Sequence, residues 1–219
     1  MNTIEQQEEA LFAKWRGQER NWVKDGVVNP EIFATSDPKV LYILKEANGR
    51  KEKKWQDGDL RAFLKKADRW QTWNTVARWQ YAITHLKEKI VWEKANYISK
   101  SFRKTLLTSI AVINLKKEPG NQQSEMQEIK AFALKDLDFI KKQISIYKPD
   151  IVICGGTGDI VKELQLLGSF SKWEKSDRDV EYCNVNNTTI LNYKHPGVRA
   201  SKQTMFWDVA HTLREARIA

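Results

Sequence analysis

The chain of 219 residues is 41% apolar and 30% charged, enough to bury the core of one α/β domain and too polar for a membrane protein. With no run approaching the roughly 20 apolar residues of a membrane span, and with an acidic, Gln-rich start (MNTIEQQEEALF) unlike a secretory signal, a cytoplasmic location is expected. Two cysteines rule out a disulfide framework or a four-cysteine metal or iron–sulfur site. The spacings of His85, His195 and His211 fit no Cys/His zinc site, so no metal and no cofactor are expected. Thirty-seven Lys and Arg against 28 Asp and Glu leave a net charge of +9. Such an excess attracts polyanions through counterion release, which makes DNA the natural partner, although basic proteins are also basic for solubility alone.

Read in chain order, residues 1–35 are a helical amino-terminal segment, amphipathic through Trp22 and packed on the domain. Four short apolar runs then predict strands: 39–44 (KVLYIL), 110–114 (IAVIN), 150–154 (DIVIC) and 188–193 (TTILNY). The first three are almost continuously apolar, the pattern of parallel strands buried on both faces. From 50 to 104 the chain reads as helical, with Trp70, Trp73, Ala77, Tyr81 and Thr84 on one face. An aromatic stripe at this period is core more often than a stacking platform for bases. Between the second and third strands, Ile129, Phe132, Leu137, Ile140, Ile144 and Tyr147 predict one helix over 128–147, ended by Pro149. A further helix is expected over 159–167. Strand, helix, Pro-Asp, strand is a βαβ crossover. The expected architecture is a single α/β domain, three-layer α/β/α, around a central, mainly parallel four-stranded sheet, with its motifs in a core of 39–200.

In open parallel sheets ligands bind beyond the carboxyl ends of the strands. Those positions hold Lys45-Glu46-Ala47-Asn48-Gly49, then Asn114 through Asn121 (NLKKEPGN), then Gly155-Gly156-Thr157-Gly158, then Lys194-His195-Pro196-Gly197-Val198-Arg199. They offer a carboxylate, carboxamides, an imidazole and Gly-rich turns among basic residues. That set suits a phosphate-linked substrate whose leaving group gains negative charge while a carbon turns positive, as in cleavage of a glycosidic bond. Structural alternatives exist for each: a His-Pro turn, an Asx turn at Asn114, a solvated Lys116–Lys117 pair. The third turn lacks the G-x-G-x-x-G spacing of a dinucleotide site.

These segments resemble a known superfamily. ILNYKHPGVRAS is similar to the His-Pro loop of the uracil-DNA glycosylases, and SIAVINLKKEPGNQ to the Asn-containing segment of their thermophilic bacterial branch. KVLYILKEANG resembles that branch's first motif, and YKPDIVICGGTG its intervening strand and glycine turn. The resemblance covers 39 to about 200, with the four blocks in order. It implies a uracil-DNA-glycosylase-like fold that flips a nucleotide from DNA and hydrolyses its glycosidic bond, as a monomer engaged in base excision and DNA repair, without metal.

On that reading Glu46, His195 and Asn48 are catalytic. His195 would donate to the carbonyl oxygen of the departing base, Glu46 would stabilise the sugar cation or orient water, and Asn48 would hold that water. Asn114 would read the pyrimidine edge, and Phe63, or Trp55, would stack on the base. Lys45, Lys117, Arg199 and the amides of Gly155 and Gly197 would clamp phosphates. The chain departs from the family in carrying Lys45 for Gly and Asn48 for Pro. It also has Ala47 where the best-known branch has its water-activating Asp, and it lacks the four cluster cysteines of the thermophilic branch. A catalytically inactive nucleic-acid or nucleotide-binding module of the same fold is the alternative.

Overall fold

The four apolar runs lie side by side, all parallel. In the computed structural model, which describes residues 3–17, 22–49, 58–120, 124–170 and 172–216, they form Val40–Asn48 (β2), Ile110–Gly120 (β3), Ile151–Gly155 (β4) and Thr188–Tyr193 (β7). Their order is β3-β2-β4-β7, with Val40 opposite both Ile110 and Ile151, and Ile151 opposite Thr189. Continuous β-branched runs favour this arrangement because each strand is covered on both faces.

Among the described residues the sheet is nonetheless seven-stranded and mixed, not the mainly parallel four-stranded sheet expected. Gly26–Val27 (β1) pairs antiparallel with β3 at one edge. At the other, Glu181–Val185 (β6) pairs antiparallel with β7 and Glu174–Lys175 (β5) with β6. Two of these strands are only two residues long and carry no periodicity to read. The β6–β7 hairpin does have a local cause. Val185 pairs with Thr188 across Asn186-Asn187, and Asn186 takes the positive φ of 53° that two-residue hairpin turns require and Asn tolerates.

Alternate residues of β2 enter different cores, as the two-residue period of a strand demands. Val40, Tyr42 and Leu44 join one cluster and Leu41 and Ile43 the other. The first cluster is closed by Leu60–Lys66 (α3), Gln71–Thr84 (α4), Trp92–Asn96 (α5), Lys100–Thr108 (α6) and Lys202–Glu215 (α10), through side chains such as Trp79, Leu107 and Phe206. The second is closed by Ile4–Arg16 (α1), Pro30–Thr35 (α2), Met126–Lys135 (α7), Leu137–Tyr147 (α8) and Gly158–Glu163 (α9), through Phe12, Phe33, Ile129, Ile144 and Val161. Ile113, wholly buried at the centre, is a position where truncation to Ala would cost roughly 2–5 kcal/mol.

Several expected boundaries move. The amino-terminal helix opens on a Thr3–Gln6 capping box and stops at Arg16, before Gly17 at φ 55°. Trp22 then packs back on Phe12 and Trp15, with ring centroids 5.2 and 5.8 Å away. The single helix expected over 128–147 is two, broken at Asp136. The five-residue step from Phe132 to Leu137 is where the stripe loses helical period. Lys148 closes α8 in the left-handed region, and Pro149 follows. The helix after β4 is also shorter than expected, ending at Glu163 rather than 167. Among the described residues no helix is long and apolar enough to cross a membrane.

The connection from β2 to β3 runs over the first face and that from β3 to β4 over the second. The chain leaves β2 toward the first face and, through α9, leaves β4 toward the second, so the switch point of the sheet, where such folds place a ligand crevice, falls between β2 and β4.

Candidate functional site

At that switch point the Leu44–Lys45 stretch of β2 meets the turns after β4 and β7. A Cβ placed on Gly155 would lie 2.6 Å from Leu44 Cδ2 and 3.0 Å from Pro196 Cδ. One placed on Gly156 would lie 3.1 Å from Lys45 Cε and 3.4 Å from His195 Cβ. Gly156 has φ 72°, and its N–H donates to Tyr193 O at 2.7 Å, so both space and backbone conformation call for glycine. Thr157 Oγ1 donates to Ile43 O at 2.8 Å, locking this turn onto β2.

His195 is held by its own turn. Its Nδ1 accepts the Gly197 N–H at 3.1 Å, and its carbonyl accepts Val198 N–H at 3.0 Å. An accepting Nδ1 leaves the proton of the neutral ring on Nε2. Burial, with the Lys45 ammonium beside it, pushes the imidazole pKa down to about 4. At neutral pH His195 is therefore an uncharged ring with one N–H to donate. Gln71, at the start of α4, reaches Gly197 O and Val198 O at 3.4 and 3.3 Å. A Cβ on Gly197 would meet Thr72 Oγ1 at 2.9 Å, so α4 buttresses the loop.

Glu46 does not join this group; its neighbour Lys45 does. β2 continues through Asn48, pairing with β3 as far as Gly120 around an irregularity between Glu46 and Asn48. The Glu46 side chain, 4% exposed, lies over Gly120, and its Oε2 is 3.1 Å from Lys116 Nζ. Lys116 also reaches Glu128 of α7 at 3.0 Å. Burial opposes the charge on Lys116, but Glu128 and Glu46 more than offset it and raise its pKa. Asn48, at the exposed end of β2, pairs in register with Gly120. Asn114 lies opposite Leu44, one strand from Lys45; it is 2% exposed, and its backbone N–H donates to Asp25 Oδ2 at 2.7 Å.

Three of the five groups assigned to phosphates are occupied internally. Lys117 is 2% exposed, with its ammonium 2.7 and 2.8 Å from the Asp25 carboxylate, 3.0 Å from Gln143 Oε1 and stacked over Trp15. Burial lowers its pKa even though Asp25 raises it. The Lys-Lys-Glu-Pro-Gly segment reads as a loop, yet it extends β3 because these buried partners satisfy its polar groups. Gly155 is the last ladder residue of β4, opposite Tyr193, and the Gly197 amide is spent on His195. Lys45 and Arg199 remain, and among the described residues neither has an ion-pair partner.

Phe63 packs half-buried against the first core, its ring 6.0 Å from Trp70. Trp55 and Asn121 lie outside the described residues. Of the aromatic stripe, Trp73 and Tyr81 are buried as expected of core, whereas Trp70 is 56% exposed. It occupies the N-cap position of α4, next in sequence to Gln71 and Thr72, which contact the His195 loop. The helical period put Trp70 in the core; its place ahead of the first helical turn was the signal against that.

The sequence reading also missed a basic hollow formed by Arg69, Asn74, Arg78 and Arg103, because Arg78 and Arg103 sit among buried positions of α4 and α6 and Arg69 lies just ahead of α4. Among the described residues no group of three or more His, Cys, Asp or Glu is placed to hold a metal ion. Cys154 and Cys183 are buried thiols with pKa values raised by burial, Cys183 to about 12. Compared with known protein families the chain matches no family model, and no curated protein matches it.

Proposed function

We propose that this chain binds DNA and excises a base, uracil or a related altered or modified pyrimidine, turned out of the strand into the crevice between β2 and β4. On this reading the fold is uracil-DNA-glycosylase-like and the enzyme is a monofunctional, metal-independent glycosylase. The observation that carries it is His195, a neutral imidazole whose Nδ1 is committed to Gly197 and whose Nε2–H is free to donate. A departing pyrimidine takes the electron pair of its N–C1′ bond and spreads it onto its carbonyl oxygens. A donor aimed there gains strength in the transition state, which is what accelerates the step. Water then bonds to C1′ and loses its proton to solvent or to the base.

Asn48, exposed at the end of β2, is the group assigned to orient that water. Glu46, set apart from the His195 group and paired with Lys116, is the group assigned to add negative charge near the developing sugar cation. Asn114, one strand away, supplies the carboxamide that reads the base edge, and Lys45 and Arg199 meet phosphates. Turning a base out costs a few kcal/mol of stacking and pairing, so these contacts must offset that amount.

A second reading is a silent module that binds an extruded base or a nucleotide without cleaving it. The pairing of Glu46 with Lys116 favours it, because that carboxylate is already neutralised by a cation. One experiment separates the two. Oligonucleotides carrying uracil, a thymine mismatch or modified pyrimidines are incubated with the protein and tested for alkali-labile abasic sites. Base release that is lost in His195→Ala supports excision; pocket-dependent binding without any abasic product supports the silent module.

A further inference from the structure

Between α4 and the turn joining α5 to α6 lies a hollow of about 270 Å³, walled by Arg69, Asn74, Arg78, Lys100 and Arg103. A second hollow of about 320 Å³ shares Arg69, Asn74 and Arg78 and extends to Gln71 and Lys202. Gln71 is also the residue that reaches the Gly197 and Val198 carbonyls, so this basic cleft abuts the His195 loop. The acidic side chain paired at its rim is Asp68, 3.0 Å from Lys100, with both side chains half exposed or more.

The arginines are unequally satisfied. Arg103 Nε donates to Ala67 O at 2.9 Å and its Nη1 to Ile98 O at 3.3 Å. Arg78, 7% exposed, donates from Nη2 to Asn96 O at 3.3 Å, while its Nε and Nη1 are buried with no partner. Asn74 Oδ1, one helical turn before Arg78, is likewise buried and unpaired. An amide turned over presents N–H where it presented oxygen, so Asn74 can add donors to the same wall. Folded proteins leave few buried polar groups idle, and a guanidinium with idle donors beside a second guanidinium is unfavourable until an anion joins them. Burial and the neighbouring Arg69 charge both act against the charged form of Arg78.

We propose that this cleft is a phosphate subsite that holds a backbone phosphate of the DNA strand next to the crevice, an assignment that rests on the DNA-binding reading above. Phosphate oxygens accept several charge-assisted hydrogen bonds at once, which matches a wall of donors facing few acceptors. A carboxylate offers fewer acceptor positions and less charge. The position beside the His195 loop means that a strand gripped here presents an adjacent nucleotide to the crevice.

The test combines two probes on the full chain. Inorganic phosphate, compared with chloride at equal ionic strength, should raise the thermal midpoint of the wild type and not that of Arg78→Gln. Single-stranded oligonucleotides with a 5′-phosphate or a 5′-hydroxyl should bind Arg69→Ala and Arg78→Gln on the order of tenfold more weakly than wild type. Each variant should also lose about one unit from the slope of log affinity against log salt. Arg69 is exposed, so its variant keeps the test decisive if Arg78→Gln folds poorly.

Equal losses on both oligonucleotides support a backbone phosphate. A loss confined to the 5′-phosphorylated strand assigns the cleft to a terminal phosphate and overturns the proposal, as does phosphate stabilisation with unchanged DNA affinity. Unchanged affinity and slope in Arg69→Ala also overturn it. Abasic-site formation is read separately, so absent base release with intact cleft-dependent binding counts against excision and not against the subsite.

Discussion

Gly197 donates its backbone N–H to Nδ1 of His195 at 3.1 Å, and this one bond decides which ring nitrogen carries the proton of the neutral imidazole. The loop thus sets the tautomer, while burial and Lys45 keep the ring uncharged. A Cβ at position 197 would press on both Thr72 Oγ1 and the His195 ring, at 2.9 and 3.1 Å. Gly197→Ala is therefore expected to turn the imidazole and cut base release about 10- to 100-fold, an effect of roughly 1.4–2.7 kcal/mol on the barrier. Single-turnover kinetics beside a melting curve would check this; unchanged kinetics would remove the loop from the mechanism.

The low pKa of His195 has a consequence for stability with a definite sign. Its folded value of about 4 lies below the ordinary 6.5, so the unfolded chain binds this proton more readily. The contribution of the site is complete above pH 6.5 and is lost as pH falls toward 4. An NMR titration should find the His195 ring neutral, protonated at Nε2, down to about pH 4. In His195→Asn, the part of the acid destabilisation that falls between pH 6.5 and 4 should shrink.

Lys117 distinguishes a structural cation from a DNA-binding one. Lys117→Met leaves the fully buried Asp25 carboxylate without its cation, for an expected loss of about 3–5 kcal/mol in urea unfolding. The salt dependence of DNA binding by the folded fraction should not change. A shallower salt slope would return Lys117 to the phosphate contacts.

Lys116→Met has the same logic at the extended ends of β2 and β3. Glu46, 4% exposed, would lose its cation, again for about 3–5 kcal/mol. Glu46→Gln should be milder, because Lys116 keeps Glu128 at 3.0 Å. If Glu46 stabilises the sugar cation, Glu46→Gln lowers the cleavage rate and leaves DNA affinity intact. A variant equal to wild type in rate would assign Glu46 to structure alone.

Trp70 and Phe63 separate stacking from packing. Trp70→Ala should weaken single-stranded DNA by about 1–3 kcal/mol with little loss of stability, since more than half of its surface is already in water. Phe63→Ala should act mainly on stability. The reverse pattern would assign the stacking to Phe63.

Much of the frame was legible because the signals were local. Four β-branched runs gave four parallel strands, with 188–193 matching β7 at both ends, and the turns that meet at the crevice follow those runs. Polar residues that become buried through distant partners were not legible. Lys116 and Lys117 read as a solvated loop, and nothing near them in sequence announces Asp25, Glu128 or Gln143. The setting of Glu46 was hidden for the same reason: extending β2 past Leu44 turned an expected loop carboxylate into a buried ion pair. The arginine cleft was hidden because Arg69, Arg78 and Arg103 come together only when α4 and α6 pack.

Base extrusion into the crevice is the claim on which the rest depends, and fluorescence of 2-aminopurine placed beside a uracil in duplex DNA reads it without requiring cleavage. Saturating protein should raise the emission several-fold as the stack opens, and His195→Ala together with Asn114→Ala should abolish most of that rise while DNA is still bound. Emission that stays at the level of free duplex, with binding confirmed by anisotropy, would contradict the account.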